Sequence, residues 1–253
     1  MTRIRAKKSL GQHFLSSPHY LKAIVDAGGV QKGECVLEVG PGTGNLTREL
    51  LSRGAKVIAI EKDHRVIPLL RAEFNAELKT KQLVLIQGDI LELDWKKLGL
   101  KGGKYKVIAN IPYYISGLLF RLFLTAKEQP SSMTLLVQKE VAERIARSPK
   151  ETLLYVSVRA YGQPHFMKKV PAGAFTPAPS VDSAILYIEG ISRDNFPKKG
   201  QEQRFFELIH AGFAHKRKKL LKALTPLIGQ RASVVADARA EDLSLETWIS
   251  LAK

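Results

Sequence analysis

Two short stretches of this chain carry residue types that can do chemistry. The first is Asn110-Ile111-Pro112-Tyr113. The exocyclic amine of a nucleobase is a poor nucleophile because its lone pair is delocalised into the ring. A site that uses such an amine must hold the base rigidly and accept hydrogen bonds from the amino group while nitrogen attacks along a sulfur–methyl axis. The Asn110 side-chain oxygen and the Ile111 carbonyl are acceptors of that kind, and Pro112 stiffens their geometry. Tyr113 offers a stacking face and Phe175 can cover the opposite one. A base reaches such a pocket only unpaired or flipped from its helix, a cost that stacking worth ~1–3 kcal/mol per base offsets.

The second stretch is Val36 to Thr47, where an apolar run stops at Gly40-Pro41-Gly42-Thr43-Gly44 and a helical pattern begins. Such a turn approaches a nucleotide-like ligand with bare backbone. Its G-x-G-x-G spacing is not the dinucleotide fingerprint, and no Gly-Lys-Ser or Gly-Lys-Thr follows, so a cofactor without a phosphate chain fits better. Glu38 lies where a carboxylate meets a sulfonium or an α-amino group. Seventeen residues after Gly44 comes Glu61, at the end of a second strand pattern, where a carboxylate takes ribose hydroxyls in Rossmann-like sheets. Asp89 closes a third strand in the same manner.

These residues need an alternating frame of strands and helices. Ser17-Pro18 starts a helix that ends at Gly28-Gly29, with Ser17 as its cap. Strands are expected at 36–39, 56–60, 83–86, 106–109 and 133–137, with a closing pair at 166–170 and 183–188. Helices are expected between them, at 140–147 and at 152–160. The proline-rich segment 175–181 is expected to be a rigid loop over the site rather than regular structure. The alternation calls for an open parallel sheet whose carboxyl edge carries all three acids. Composition changes near 190–200, so residues 1–190 form an α/β domain with a basic arm at 1–16, 191–199 a linker and 200–253 a small all-α domain.

Charge supplies the partner. Lys plus Arg number 40 against 24 Asp plus Glu, a net +16, which suits a polyanion. Arg3, Arg5, Lys7 and Lys8 form one cluster, and Lys216, Arg217, Lys218 and Lys219 lie in a second; the bland reading of the latter is a solvated helix face. No apolar run approaches the ~20 residues that cross a bilayer. A single cysteine, Cys35, permits no intramolecular disulfide and fits a reducing, cytoplasmic compartment. His64, His165, His210 and His215 lack metal-ligand spacing with Cys or paired acids, so no metal is expected.

Taken together, these blocks resemble the KsgA-type small-subunit ribosomal RNA adenine dimethyltransferases, relatives of the Erm resistance methyltransferases. Gln12-His13-Phe14-Leu15, Leu37 to Gly44, Ile60-Glu61, Gly88-Asp89, Asn110 to Tyr113 and Phe175 to Ser183 match the family's blocks in order across nearly the whole chain. The resemblance implies a Rossmann-like class I methyltransferase sheet with a C-terminal helical RNA-binding domain. It implies S-adenosyl-L-methionine as cofactor, passed by Gly40 and Gly42, with Glu61 on the ribose, Asp89 on the adenine amino group, His13 and Leu15 closing over it, and Asn110 shared with the target. Asn110, the Ile111 carbonyl, Pro112, Tyr113 and Phe175 then hold an adenine. By the same resemblance, two adjacent adenines near the 3′ end of small-subunit rRNA are converted to N6,N6-dimethyladenine, with the immature 30S subunit as partner; the sequence leaves oligomeric state open, with a monomer the default.

Phe213 to Leu220 and Leu243 to Glu246 resemble the housekeeping branch rather than the resistance branch, which modifies large-subunit rRNA. Tyr114 and His13 stand where many relatives have Asn. A third reading is an assembly factor for which methylation is secondary; the intact glycine loop and Asn-Ile-Pro-Tyr weigh against it. The mechanism that follows is direct in-line transfer governed by positioning, with no covalent enzyme intermediate and no need for a shifted pKa.

Overall fold

The computed structural model describes Lys7 and residues 11–148, 150–214 and 218–253. Its strands are β1 Phe14–Leu15, β2 Cys35–Val39, β3 Lys56–Glu61, β4 Leu83–Gln87, β5 Tyr105–Asn110, β6 Ser132–Gln138, β7 Gln163–Val170, β8 Phe175–Thr176 and β9 Ser183–Glu189. Among the described residues a seven-stranded sheet runs in the order β4-β3-β2-β5-β6-β9-β7. β2 pairs in parallel with β3 and β5, β3 with β4, and β5 with β6, while β9 runs antiparallel to β6. This is the α/β sheet expected from the strand–helix alternation.

Alternate residues of a strand point to opposite faces, and here both faces are covered. Val36, Val57 and Ile108 join one core cluster, which also takes Leu21, Ile24 and Val25 of helix Pro18–Ala27 and Leu46, Leu50 and Leu51 of helix Asn45–Ser52. Leu37, Val107 and Leu135, on the other face, are fully buried as well. Strands β2 to β5 are parallel, so Val39, Glu61, Gln87 and Asn110 all end at one edge. The connections from β2 lead outward to β3 and β4 on one side, and β5 lies on the other, which makes the β2/β5 boundary the switch point where such sheets open a crevice.

Two local expectations change. Ser17 occupies the capping position, but its side chain makes no capping bond; its carbonyl accepts from Tyr20 and Leu21 N–H, and Pro18 opens the helix. The 175–181 segment is not wholly irregular. Phe175 and Thr176 pair antiparallel with Leu15 and Phe14 before Pro177 ends the ladder, because the N-terminal strand supplies the hydrogen-bonding partner that the segment lacks on its own.

The chain folds as two compact units, one comprising Met1–Ala142 and His165–Ile191, the other Glu143–Pro164 and Ser192–Lys253. The second contains helices Leu153–Arg159, Gln201–Phe213, Leu220–Ile228 and Leu245–Leu251. A boundary at 191–199 follows the composition, but the packing takes in residues 143–164 as well. Tyr161 Oη donates to Glu202, Asn195 Nδ2 donates to the Ala160 carbonyl at 2.9 Å, and Lys150 pairs with Glu241 at 2.6 Å. The linker segment is itself packed, since Ser192 N–H donates to the Tyr161 carbonyl and Arg193 pairs with Glu202.

Candidate active site

One cleft of the first unit is lined by the glycine loop, the ends of β3 and β5, the Gly88 to Leu91 turn and residues 11–15. Gly40 has φ +68°, which side-chain-bearing residues rarely adopt, and a Cβ there would meet nothing within 4 Å. Backbone conformation, not crowding, therefore demands glycine, and the space beside it is open to a ligand. At Gly42 crowding adds to a φ of +54°: a Cβ would stand 2.9 Å from the Phe14 ring. Asn45 Nδ2 donates to the Leu15 carbonyl at 3.0 Å, so β1 is fastened to the start of the helix after the loop.

The three acids sit as their strands dictate. Glu38 is 1% exposed; Thr47 Oγ1 donates to its Oε2 at 2.6 Å, and among the described residues Oε1 has no partner. Burial first, with the neighbouring Glu61 charge, pushes its carboxyl up to about 8. Glu38 thus lines the cleft with one oxygen unmatched and a carboxyl that burial biases toward its protonated form. Glu61 takes the Gly42 N–H at 2.9 Å and the Asp63 N–H at 2.7 Å, and burial raises its pKa above the usual carboxylate range. Asp89 accepts from Leu91 N–H at 3.0 Å and pairs with Lys62 at 2.5 Å. Burial works to raise its pKa, but Lys62 and that N–H outweigh it and hold Asp89 below its ordinary value.

Asn110 ends β5, and its Nδ2 donates to the His13 carbonyl at 3.1 Å. That bond fixes the amide of a cleft-lining residue through one of its two N–H groups. Ile111 is buried and precedes Pro112, which disfavours helical backbone at Ile111 and so restricts its carbonyl. Tyr113 Oη shares a 2.6 Å hydrogen bond with Ser183 Oγ, and the His13 ring lies near-parallel to the Tyr113 ring at 6.0 Å. Burial raises the Tyr113 pKa. His13 Nδ1 is 2.8 Å from the Pro177 carbonyl, tying residues 11–15 to the segment after β8. Phe175 is placed otherwise: its ring is buried in the core cluster with Leu15 and Ile185, and it does not line the cleft.

The chain matches the ribosomal RNA adenine dimethylase family over residues 3–253. It belongs to that family. A ribosomal RNA small subunit methyltransferase A from Dehalococcoides mccartyi (strain CBDB1) is 41% identical over 259 residues, covering 98% of this chain and 88% of its own. Among solved structures, a dimethyladenosine transferase from Plasmodium falciparum superposes with a TM-score of 0.81 at 23% identity, covering 94% of this chain and 96% of its own. The 23S rRNA methyltransferase ErmE gives 0.75 at 23%, covering 94% and 98%. At that identity the two structures establish the fold alone, a class I methyltransferase, and do not separate small-subunit from large-subunit substrates. The curated relative does bear on that choice.

In a family member the glycine loop, Glu38, Glu61, Asp89, His13, Leu15 and Asn110 meet in one cleft, which is where the sequence reading gathers them. Asp63 and Arg65 are residues that reading passes over, and Gln12 is read there only as part of a matching block. Gln12 Nε2 donates to Asp63 Oδ2 at 3.0 Å, and Arg65 grips the same carboxylate through Nε at 2.8 Å and its other nitrogen at 2.6 Å. The Asp-x-Arg spacing after Glu61 was the available signal. Of the basic residues, Arg3, Arg5, Lys8, Lys216 and Arg217 lie outside the described residues. Lys7 donates its backbone N–H to Gln12 Oε1 at 2.8 Å, Lys218 is exposed, and Lys219 pairs with the exposed Asp237 at 2.5 Å.

Proposed function

We propose that this protein uses S-adenosyl-L-methionine to dimethylate the N6 amino groups of two adjacent adenines near the 3′ end of small-subunit rRNA, acting in the cytoplasm on the immature 30S subunit. The observation that carries the reading is that Asn110, with its amide fixed by the His13 carbonyl, shares one cleft with the glycine loop and the orphan oxygen of Glu38. An acceptor for an amine and a receptor for a cation belong to the two halves of a methyl transfer.

The donor set fits the cofactor. Glu38 Oε1 suits a cationic amino group, the open side of Gly40 admits the ligand against bare backbone, Glu61 suits ribose hydroxyls, and Asp89 suits an exocyclic amine. S-adenosylmethionine supplies a methyl group made electrophilic by its sulfonium. The residues of this chain do the positioning. Asn110 Oδ1 and the Ile111 carbonyl accept from the target amine and orient its nitrogen, Tyr113 supplies a stacking surface, and Phe175, paired with Leu15, holds the 14–15 segment that borders the cleft. Once nitrogen has been alkylated its proton is acidic, and the same two oxygens receive it before water does. Lys7, Lys218 and Lys219, with Arg3, Arg5, Lys8, Lys216 and Arg217, supply cations for the RNA backbone.

The test is incubation with methyl-labelled S-adenosylmethionine and either unmethylated small subunits or large-subunit RNA, followed by digestion and chromatography of the nucleosides. Label in dimethyladenosine from the small subunit alone is the expected result. Label from large-subunit RNA alone would overturn the substrate, and no label from either would overturn the activity.

A further inference from the structure

Every Phe, Tyr and Trp of this chain lies among the described residues, and all but one are buried or half-buried; the exception is Tyr114, 63% exposed. Its position is not incidental. Tyr114 lines the mouth of the cleft directly after Asn110 to Tyr113, within the 3-10 turn Tyr113–Ile115. Successive residues of such a turn are about 120° apart, so neighbouring tyrosines diverge. Tyr113 goes inward to Ser183 and His13, and Tyr114 goes out to the rim.

Two further observations make the outer ring a platform rather than a loose side chain. Gly11, with φ +57°, lies close beside the ring: a Cβ there would stand 3.3 Å from both Cδ1 and Cε1 of Tyr114. Leu91, also exposed, and Lys62, ion-paired with Asp89, line the same cleft. The rim thus presents an exposed aromatic ring held beside Gly11, with apolar surface next to it, a combination that receives a nucleobase.

We propose that Tyr114 stacks the base of the nucleotide next to the adenine in the cleft, holding the strand while that adenine is inserted beside Tyr113. The inference rests on the adenine-methylating reading above and adds to it a positioning residue outside the set that touches the amine. It also accounts for tandem tyrosines at this point: one ring serves the flipped base, the other its neighbour. Stacking of this kind tolerates any base and any aromatic ring, whereas a hydrogen bond from the phenol would not.

The test compares wild type with Tyr114→Leu, Tyr114→Phe and Tyr114→Trp for methyl transfer to unmethylated small subunits, with cofactor affinity measured separately. The exposed site leaves folding unaffected. Tyr114→Leu is expected to raise KM for the subunit roughly 5- to 150-fold, the span of one lost base–aromatic stack, with cofactor affinity unchanged. Phe and Trp should keep KM within about threefold of wild type, as a stack of similar strength requires. An unchanged KM in Tyr114→Leu would overturn the inference, as would Tyr114→Phe being as impaired as Tyr114→Leu. Absence of methyl transfer by wild type itself would instead strike the underlying reading.

Discussion

Gln12 and Asp63 are 51 positions apart in sequence and joined by a 3.0 Å hydrogen bond. The bond matters because Asp63 serves two neighbours at once. Its backbone N–H donates to Glu61 Oε1 at 2.7 Å, while its carboxylate holds Gln12, the residue before His13. Position of the proposed ribose acceptor and position of the segment that borders the cleft are thereby set by one buried residue. Arg65 keeps that residue charged: its hydrogen bonds hold the Asp63 carboxyl far below the usual carboxylate range, against burial.

Asp63→Asn keeps the shape and removes the charge that Arg65 grips. Hydrogen bonds to charged groups contribute ~1.5–3 kcal/mol, so a loosened arm should weaken cofactor binding roughly tenfold. Calorimetric titration of S-adenosylmethionine, run beside thermal unfolding, checks this. An affinity equal to wild type would show that Gln12 and Glu61 hold their places without Asp63.

Glu38 makes a prediction with a sign. Its folded pKa, about 8, lies above the ordinary carboxylate value of 4.5, so the fold favours the protonated form. The unfolded chain ionises first as pH rises, and the contribution of Glu38 to stability, complete below about 4.5, is lost progressively up to about 8. A cation bound at Oε1 reverses the preference, so cofactor binding between those limits should release about one proton. Titration in buffers of different ionisation enthalpy counts it. Glu38→Gln should bind with no such release; equal release in both proteins would place the proton elsewhere.

The strands, the helix starts and the edge acids were legible because each is a local pattern: apolar alternation, a Ser-Pro start, a carboxylate at a strand end. Glu61 and Asn110 needed only the strand before them. What could not be read is what depends on pairing distant segments. The β1–β8 ladder joins residues 14–15 to 175–176, and neither two-residue strand has a pattern of its own. The helices expected at 140–147 and 152–160 read as part of the sheet domain because the ties of residues 143–164, Tyr161 to Glu202 and Lys150 to Glu241, run to a segment forty or more residues on. Phe175 shows the same limit. Its type suits a stacking ring, and its burial beside Leu15 follows from the pairing.

Asn110→Ala separates chemistry from binding. The variant loses the Oδ1 acceptor and the Nδ2 bond to the His13 carbonyl, while Glu38, Glu61 and Asp89 stay in place. Loss of a positioned acceptor typically costs on the order of 100-fold or more in turnover. The expected result is turnover near background with a cofactor Kd within about fivefold of wild type, because positioning of the amine fails and most of the cofactor's contacts remain. Undiminished turnover would remove Asn110 from the mechanism.

Salt dependence tests the basic face, and one ion pair lets it be tested in both directions. Each Lys that displaces a counterion from a phosphate adds roughly 0.7–0.9 to the slope of log affinity against log salt. Replacing Lys218 and Lys219 with Ala should flatten that slope for small-subunit binding by about one to two. Lys219 is paired with Asp237, an exposed acid whose pKa the lysine lowers, and phosphate must compete with that carboxylate. Asp237→Asn therefore releases the cation and should tighten binding at low salt, the reverse of the lysine replacements. Binding measurements from low to physiological salt on the three proteins decide it. If neither change moves the slope, the block is a solvated helix end and the RNA lies on another surface.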